Sequence, residues 1–360
     1  MHSEMKRQLA LAAGLIAVVA SLVPLAAQTK SSIPRMKDGH PNLQGTYDLA
    51  TLTPLERRAG TPLVLTDEQA AKLEHDVAQR SDTLAAPIKG DRAAPPKGGD
   101  GSPGPYGNVG GYNNFWLDPG SHYTVVDGQR RASLLIDPPD GRVPALTPEA
   151  QKRRSSADYN ARPTSDAAAR EDDPGFEGPS AYDDPEIRPL AERCLIGFSS
   201  TSGPPILPTY FYNNLHQIVQ TPTHVMILTE MVHDVRVIRM NAEHAPKTAR
   251  KWLGDSVGRW EGDTLVVDTT NFNGKTWLNE IGEIVSHAER VTERITALDA
   301  QTVQYEATVT DPIVYTKPWT IAVPLKRDKQ EVLEVACHED NQDLQHLKDV
   351  RDAARRGNTR

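Results

Sequence analysis

Cysteine is scarce in this chain of 360 residues, which contains only Cys194 and Cys337. Their wide spacing fits neither a CxxC redox motif nor a zinc knuckle. Two interpretations remain open for an exported protein: a disulfide that closes a loop of over a hundred residues, or two buried free thiols. On the entropic account, such a bridge would constrain the unfolded chain by roughly 4–5 kcal/mol.

Several sequence signals of other protein classes are also missing. The chain has no strongly basic stretch and a net charge of −8, so we expect no nucleic-acid partner. It has neither a Walker A run nor a GxGxxG after a strand, and we expect no cofactor. The run from Gly254 to Gly258, with Ser256 at its centre, only superficially suggests a nucleophile elbow. We interpret that run as a glycine-rich turn before a strand.

One apolar stretch stands out, at the N-terminus. Lys6 and Arg7 precede a broken apolar run from Leu9 to Leu25, and Ala26 and Ala27 offer small residues for cleavage. The run is too short and too interrupted to favour a permanent membrane helix. We therefore expect a signal peptide over residues 1–27, a periplasmic or secreted protein, and no membrane span after cleavage.

Turn-forming residues are abundant, with 28 Pro and 25 Gly. We predict an irregular segment over 28–111 with one helix that begins at the capping box Thr66–Gln69 and reaches about Gln79. Residues 112–200 are expected to form a hairpin and helices, including one over Asp184–Cys194, that pack on a barrel. Residues 201–360 should supply that barrel and a C-terminal helix near Asn341–Arg356.

The densest β signal lies between Trp252 and Leu325, and from His216 onward seven or eight strands follow one another with hairpin-length connections. That number of strands is typical of an up-and-down barrel or of a sheet curled onto itself. We also expect a last strand over Glu331–Cys337. The predicted fold is mainly β: an antiparallel barrel or strongly curled sheet, calycin-like, with a few peripheral helices.

The strand from His287 to Thr296 carries charge on a face that should be buried. Because side chains alternate along a strand, His287, Glu289 and Glu293 share a face with the apolar Val291 and Ile295. Buried carboxylates are costly unless they are paired, so a polar cluster inside a barrel is typical of a ligand or acid/base site. The alternative is that both glutamates lie at a wet barrel mouth or pair with neighbouring arginines.

Other residues extend this candidate site. His224 and Glu230 are further acid/base candidates, so the predicted catalytic set is His287, Glu289, Glu293, His224 and Glu230. The candidates for ligand binding are mostly aromatic, namely Tyr212, Trp260, Trp277, Tyr305, Trp319 and His338. No HxH or HExxH motif joins the histidines, so we predict no metal site.

Three runs resemble a family that extends over most of the chain. They begin at Ala132 (ASLLIDPPDGRVP), Gly254 (GDSVGRWEGDTLVV) and Ala336 (ACHEDN). They are similar to a large family of exported, uncharacterised bacterial proteins, with similarity from about Gly111 to Arg355. The resemblance implies an exported protein with one integrated fold and transfers no catalytic residue.

These observations support three hypotheses. The first is an exported soluble protein that binds a small, partly apolar molecule inside a β barrel. The second is a periplasmic acid/base enzyme (a hydrolase, lyase or isomerase) that uses Glu and His side chains in the barrel interior. The third is an envelope interaction protein without a pocket.

Overall fold

The computed structural model describes residues 33–85, 118–154, 194–196, 203–209, 212–276 and 285–337, together with single positions beyond 338. Within these ranges the protein is mainly β, and its two helices lie outside the sheet. The helices are α1 (Asp67–Ala85) and α2 (Pro148–Arg154). The strands are β1 (Gly45–Asp48), β2 (Val125–Val126), β3 (Gln129–Arg130), β4 (Leu135–Asp137), β5 (Leu215–Gln220), β6 (His224–Thr229), β7 (Val235–Met240), β8 (Asp255–Glu261), β9 (Thr264–Thr270), β10 (Arg290–Ala297), β11 (Thr302–Thr310) and β12 (Trp319–Asp328).

Nine of these strands close into a barrel, which confirms the predicted fold class. The order runs from β1 to β5 and then consecutively to β12, and β12 pairs back with β1. β4 adds to β12 as a tenth strand beside the ring. β1 comes from the segment predicted to be irregular, so the barrel draws on sequence well before residue 201.

Every contact in the ring is antiparallel except the one between β7 and β8. A ring with an odd number of strands cannot alternate direction all the way round, so nine strands require one parallel contact. The parallel pairing is short and joins Ile238, Arg239 and Met240 to Ser256, Val257 and Gly258. We call this contact the parallel seam. It is bridged by a loop over residues 241–254, because parallel neighbours cannot be joined by a tight hairpin.

Alternating side chains fill the barrel interior. The inward-facing residues of β10, β11 and β12 are largely apolar and buried, including Ile295, Val303 and Ile321. Three large aromatic side chains, Tyr47, Tyr305 and Trp319, are completely buried in the same core. The described interior is therefore packed with side chains.

The sequence predicted several local structures correctly. Thr66 and Gln69 form the expected capping box, in which the Gln69 amide donates to Thr66 Oγ1 (3.2 Å) and the Thr66 amide donates to Gln69 Oε1 (3.0 Å). Asp127 and Gly128 take the positive φ values of a tight hairpin turn between β2 and β3.

Other expectations differ from the structure. Residues 255–258 were interpreted as part of a turn, but they belong to β8. A final strand was expected over Glu331–Cys337, but residues 331–336 have no regular secondary structure. The predicted helix at 184–194 lies outside the described residues except for Cys194, and the C-terminal helix lies largely outside them. Cys194 and Cys337 form a disulfide with their Cα atoms 5.9 Å apart, which settles the alternative left open by the sequence.

Candidate functional site

The face assignment for β10 decides which charged side chains enter the barrel. Val291, Glu293 and Ile295 are buried and face inward, whereas Arg290 and Arg294 face outward, as the alternation predicts. His287 and Glu289 precede the strand, which begins at Arg290.

Glu293 lies at the centre of a buried polar triad, which we define as Glu293, Arg236 and Tyr305. The Arg236 guanidinium donates two hydrogen bonds to the Glu293 carboxylate, at 2.5 and 2.8 Å. The Tyr305 hydroxyl donates to Glu293 Oε1 (2.8 Å) and accepts from the Ile206 amide (2.8 Å). Arg236 is 4% exposed and Glu293 is 0% exposed, so the pair is removed from water.

Burial and the contact with Glu293 have opposite effects on the pKa of Arg236. Burial alone would lower the pKa of Arg236, but the charge and hydrogen bonds of Glu293 outweigh it and raise that pKa. Burial, followed by the neighbouring Glu293 charge, raises the pKa of Tyr305 well above its ordinary value. The triad therefore holds a cation, an anion and a neutral phenol in the barrel core.

A cleft of about 510 Å³ opens on the barrel wall beside the parallel seam. Its apolar lining consists of Leu195, Ile196, Val235, Val237, Trp252 and Leu253. Its polar lining consists of Asp234, Arg236, Arg239, Lys251, Asp255 and Ser256, with Gly254 between the two groups. The volume and the mixture of apolar and polar groups are typical of a small-molecule site. We call this opening the seam cleft.

Arg236 connects the seam cleft with the interior triad. It lines the cleft, while its two terminal nitrogens bind Glu293. Its third donor, Nε, is buried and has no hydrogen-bond partner among the described residues. A buried donor without an acceptor costs about 1–3 kcal/mol.

Glu289 occupies a separate small cavity behind the same wall. Its lining includes Thr276, Trp252 and Leu253, and the last two also line the seam cleft. The cavity offers about 10 Å³ to the centre of a water molecule, close to the space that one water needs. Glu289 Oε1 is buried without a hydrogen-bond partner among the described residues.

The surroundings of Glu289 favour its neutral form. Burial is the largest cause that raises its pKa well above the ordinary value, and the nearby Asp311 raises it further. Asp311 itself is surrounded by donors, since it accepts from the Ser286 amide (2.6 Å), the Ser286 hydroxyl (2.7 Å) and the amides of Ile313 and Val314. Glu289 is thus a buried carboxylic acid beside a buried carboxylate that accepts four hydrogen bonds from the protein.

A cluster of charged side chains closes the outer side of the seam. His244, from the loop between β7 and β8, has Nδ1 at 3.2 Å from Asp255 and Nε2 at 3.0 Å from Asp268. Arg239 and Lys251 also contact Asp255, and Arg290 binds Asp268 through two hydrogen bonds.

These contacts lower the pKa of both aspartates. Burial raises the pKa of Asp255, but the Ala245 amide, His244, Arg239 and Lys251 together lower it below the ordinary range. Burial likewise raises the pKa of Asp268, and Arg290 and His244 outweigh that effect. Both carboxylates are therefore held ionised, and they anchor the loop that crosses the seam.

The structure separates the predicted acid/base residues. His287 is exposed rather than inward-facing, and His224 lies on the outer face of β6, 3.0 Å from the Thr223 hydroxyl. Glu230 is buried beyond the end of β6, where its Oε1 accepts from the Leu333 amide (2.9 Å). Glu293 is already engaged by Arg236. No His–Glu pair of the predicted set is brought together among the described residues.

The predicted aromatic residues that the structure describes line neither the seam cleft nor the Glu289 cavity. Tyr305 and Trp319 are core residues, and Trp260 is partly buried and stacked on His40 with ring centroids 4.6 Å apart. Tyr212 is partly buried before β5. Trp277 and His338 lie outside the described residues.

Sequence reasoning missed Arg236, Trp252 and the aspartates at the seam. The run Val235–Ile238 carried a signal, because alternation puts Arg236 on the same face as Ile238, as in the β10 strand. Asp255 was missed because its run was interpreted as a turn. His244 lies in a loop with no periodic pattern, and only the fold places it between two carboxylates.

Comparisons with protein-family models, curated proteins and solved structures found no match to this chain. Among the described residues, no group of three or more His, Cys, Asp or Glu side chains is arranged to hold a metal ion. None of the described helices has the length and apolarity needed to cross a bilayer.

Proposed function

We propose that this protein is an exported binding protein for a small, partly apolar molecule, and that the molecule binds in the seam cleft. The packed barrel interior directs the proposal to the wall of the barrel rather than its centre. The disulfide between Cys194 and Cys337 fits an oxidising compartment, and the resemblance to exported bacterial proteins points the same way.

The unpartnered Nε donor of Arg236 at the seam cleft carries this proposal. A ligand acceptor that reaches this donor would remove the cost of a buried, unsatisfied group. The apolar body of the ligand would contact Trp252, Leu253 and the two exposed valines Val235 and Val237. Such a ligand therefore combines an apolar body with a carbonyl, carboxylate or sulfonate oxygen.

A blocking substitution tests the site. Val237 is 46% exposed on the outer face of β7, so Val237→Trp fills the seam cleft without entering the core. Val219→Trp is the matched control, since Val219 is 37% exposed on the outer face of β5 and does not line the cleft.

Fluorescence titration with anilinonaphthalene sulfonate, which has an apolar body and an anionic acceptor, supplies the measurement. We expect wild type and Val219→Trp to bind alike and Val237→Trp to bind at least about tenfold more weakly, a difference of about 1.4 kcal/mol. Equal binding by all three proteins would refute the seam cleft as the site. Mass spectrometry of small molecules that co-purify with the wild type would identify a natural ligand.

Glu289 favours a second candidate, an acid/base enzyme. A neutral carboxylic acid with a free oxygen can donate a proton to a substrate, and the wall that separates it from the seam cleft consists of Trp252 and Leu253. Glu289→Gln keeps the shape of the side chain and removes the proton. Turnover lost while binding is retained would support the enzyme, and a wild type that converts none of the compounds it binds would favour the binding protein.

A further inference from the structure

The backbone of β7 is paired along only part of its length on the side of the seam. β7 begins at Val235, but its first pairing with β8 is at Ile238. On its other side β7 pairs with β6 from Val235 onward. The first three residues of β7 therefore form an open strand edge among the described strands, and this edge borders the seam cleft.

The hydrogen bonds show which backbone groups point toward the open edge. The Asp234 carbonyl accepts from the Thr229 amide next to β6 (2.8 Å), whereas the Asn241 amide donates to the Gly258 carbonyl of β8 (2.7 Å). Because alternate residues of a strand bond to opposite neighbours, even-numbered residues of β7 face β6 and odd-numbered residues face β8.

The N–H and C=O of Val235 and the N–H of Val237 thus point into the seam cleft, whereas the Val237 carbonyl belongs to the pairing of Ile238 with Ser256. Among the described residues, the pairing of β7 with β8 begins only after these three groups. The side chains of Val235 and Val237 are 49% and 46% exposed on the outer face. An extended chain that adds to an open edge uses this pattern of alternating donors and acceptors.

The two ends of the open edge differ in charge. Asp234 lines the cleft at the start of β7, and Arg239 and Lys251 line it near the seam, where both also contact Asp255. A short peptide with free ends carries an ammonium at one end and a carboxylate at the other. Such a peptide matches this polarity when it runs parallel to β7, in line with the strand direction of β8.

We propose that the ligand class of the seam cleft is a short extended peptide of about three residues, which binds as an added strand on the open edge of β7. Three residues span roughly 10 Å at about 3.3 Å per residue, which matches the part of β7 that precedes its first pairing with β8 at Ile238. This inference rests on the proposed function, since it names the ligand class for the same cleft.

Backbone methylation tests the added strand. In a parallel pairing, the central residue of a tripeptide directs its N–H to the partner strand, and the next N–H points away. Isothermal titration calorimetry would compare Ala-Val-Ala with analogues N-methylated at the central or at the third residue. We expect the central methyl group to weaken binding at least tenfold and the third to leave it within twofold. Equal affinities of the three peptides would overturn the proposal.

Substitutions in the protein supply the reciprocal test. Val235→Pro removes the N–H that faces the cleft, and the preceding Asp234 already has φ −67° and ψ 136°, which suits a residue before proline. Val235→Thr keeps the N–H and the side-chain shape and is the matched control. We expect only the proline variant to lose peptide affinity, while both retain the far-ultraviolet circular dichroism spectrum of the wild type. Equal peptide affinities of the two variants would overturn the added strand.

Measurements with anilinonaphthalene sulfonate and with the peptide distinguish failure of the peptide proposal from failure of the proposed function on which it rests. Binding of anilinonaphthalene sulfonate that depends on Val237, without measurable binding of Ala-Val-Ala, would refute the peptide class and leave the small-molecule site intact. Absence of both binding reactions would refute the site itself. Blocking both ends of the peptide, by acetylation and amidation, should weaken binding severalfold if the charged ends of the cleft recognise its termini.

Discussion

The buried pair between Arg236 and Glu293 allows the sharpest test of the structure. Glu293→Gln keeps the side-chain shape but leaves the Arg236 guanidinium, which is 4% exposed, without a counter-charge. Removal of one partner from a buried ion pair costs about 3–5 kcal/mol, because the remaining charge is neither solvated nor paired. Gln keeps one acceptor oxygen where Glu293 has two, so Arg236 and the Tyr305 hydroxyl would share it, and this loss falls within the same estimate.

A surface ion pair near the same strand gives the matched control. Glu261 accepts from Arg294 at 3.0 Å, and both side chains are more than 40% exposed. Glu261→Gln should therefore leave the stability close to that of the wild type, because exposed ion pairs contribute little. The double variant Arg236→Met with Glu293→Met should recover most of the loss, because an apolar pair of similar volume removes both charges together.

Equilibrium unfolding in urea, followed by circular dichroism, measures these differences through the midpoint and the slope. We expect the order of stability to be wild type and Glu261→Gln, then the double variant, then Glu293→Gln, at similar slopes. If Glu293→Gln were no less stable than Glu261→Gln, the claim that the triad is buried and charged would be wrong.

Three further predictions concern pH and redox state. Glu289 has a raised pKa in the folded protein, so its unfolded form loses a proton first as pH rises above about 4.3. Glu289→Gln should therefore gain stability over wild type as pH rises above about 4.3, by up to about 1.4 kcal/mol per pH unit until Glu289 ionises in the folded protein; urea unfolding at a series of pH values measures this difference. Asp268 has a lowered pKa, so its contribution to the unfolding free energy is present above about pH 3.9 and is lost as pH falls. In Asp268→Asn the unfolding free energy should therefore depend less steeply on pH in acid, as urea unfolding at several pH values would measure. Reduction of the Cys194–Cys337 bridge should lower the unfolding free energy by up to about 5 kcal/mol, measured in urea with and without dithiothreitol.

The strand pattern predicted the fold class because each long strand carries its own alternating signal. β11 (Thr302–Thr310) shows this signal most clearly, since every second residue is apolar and buried. β1 was missed because a strand of only four residues, in a proline-rich segment, is too short to show a clear alternation of apolar and polar residues. β8 was missed because Gly254 and Gly258 indicate a turn, whereas Gly258 lies inside the strand, where a Cβ would meet Ile238 and Met240 at 2.9 Å.

The candidate site was predictable only in part, for a physical reason. Alternation along β10 placed Glu293 inside the barrel, but it carries no information about which residue lies opposite. Arg236 is 57 residues earlier in the chain, and only closure of the ring brings the two together. The same limit applies to His244, whose partners Asp255 and Asp268 lie on two different strands.

The position of the seam cleft follows from the number of strands. Nine strands force one parallel contact, and a parallel contact needs a long connection, here the loop over residues 241–254. That loop fixes where β8 can begin, and β8 meets β7 only from Ile238 onward. The wall is consequently open over the first three residues of β7, and the opening exposes backbone groups that a longer pairing would have used. The His244 cluster anchors the crossing loop on one side, and the disulfide holds Cys194, next to Leu195 and Ile196 of the cleft lining, on the other. An opening beside a contact that the topology requires, and that two separate sets of contacts hold in shape, is a stronger candidate for recognition than a gap in a loop.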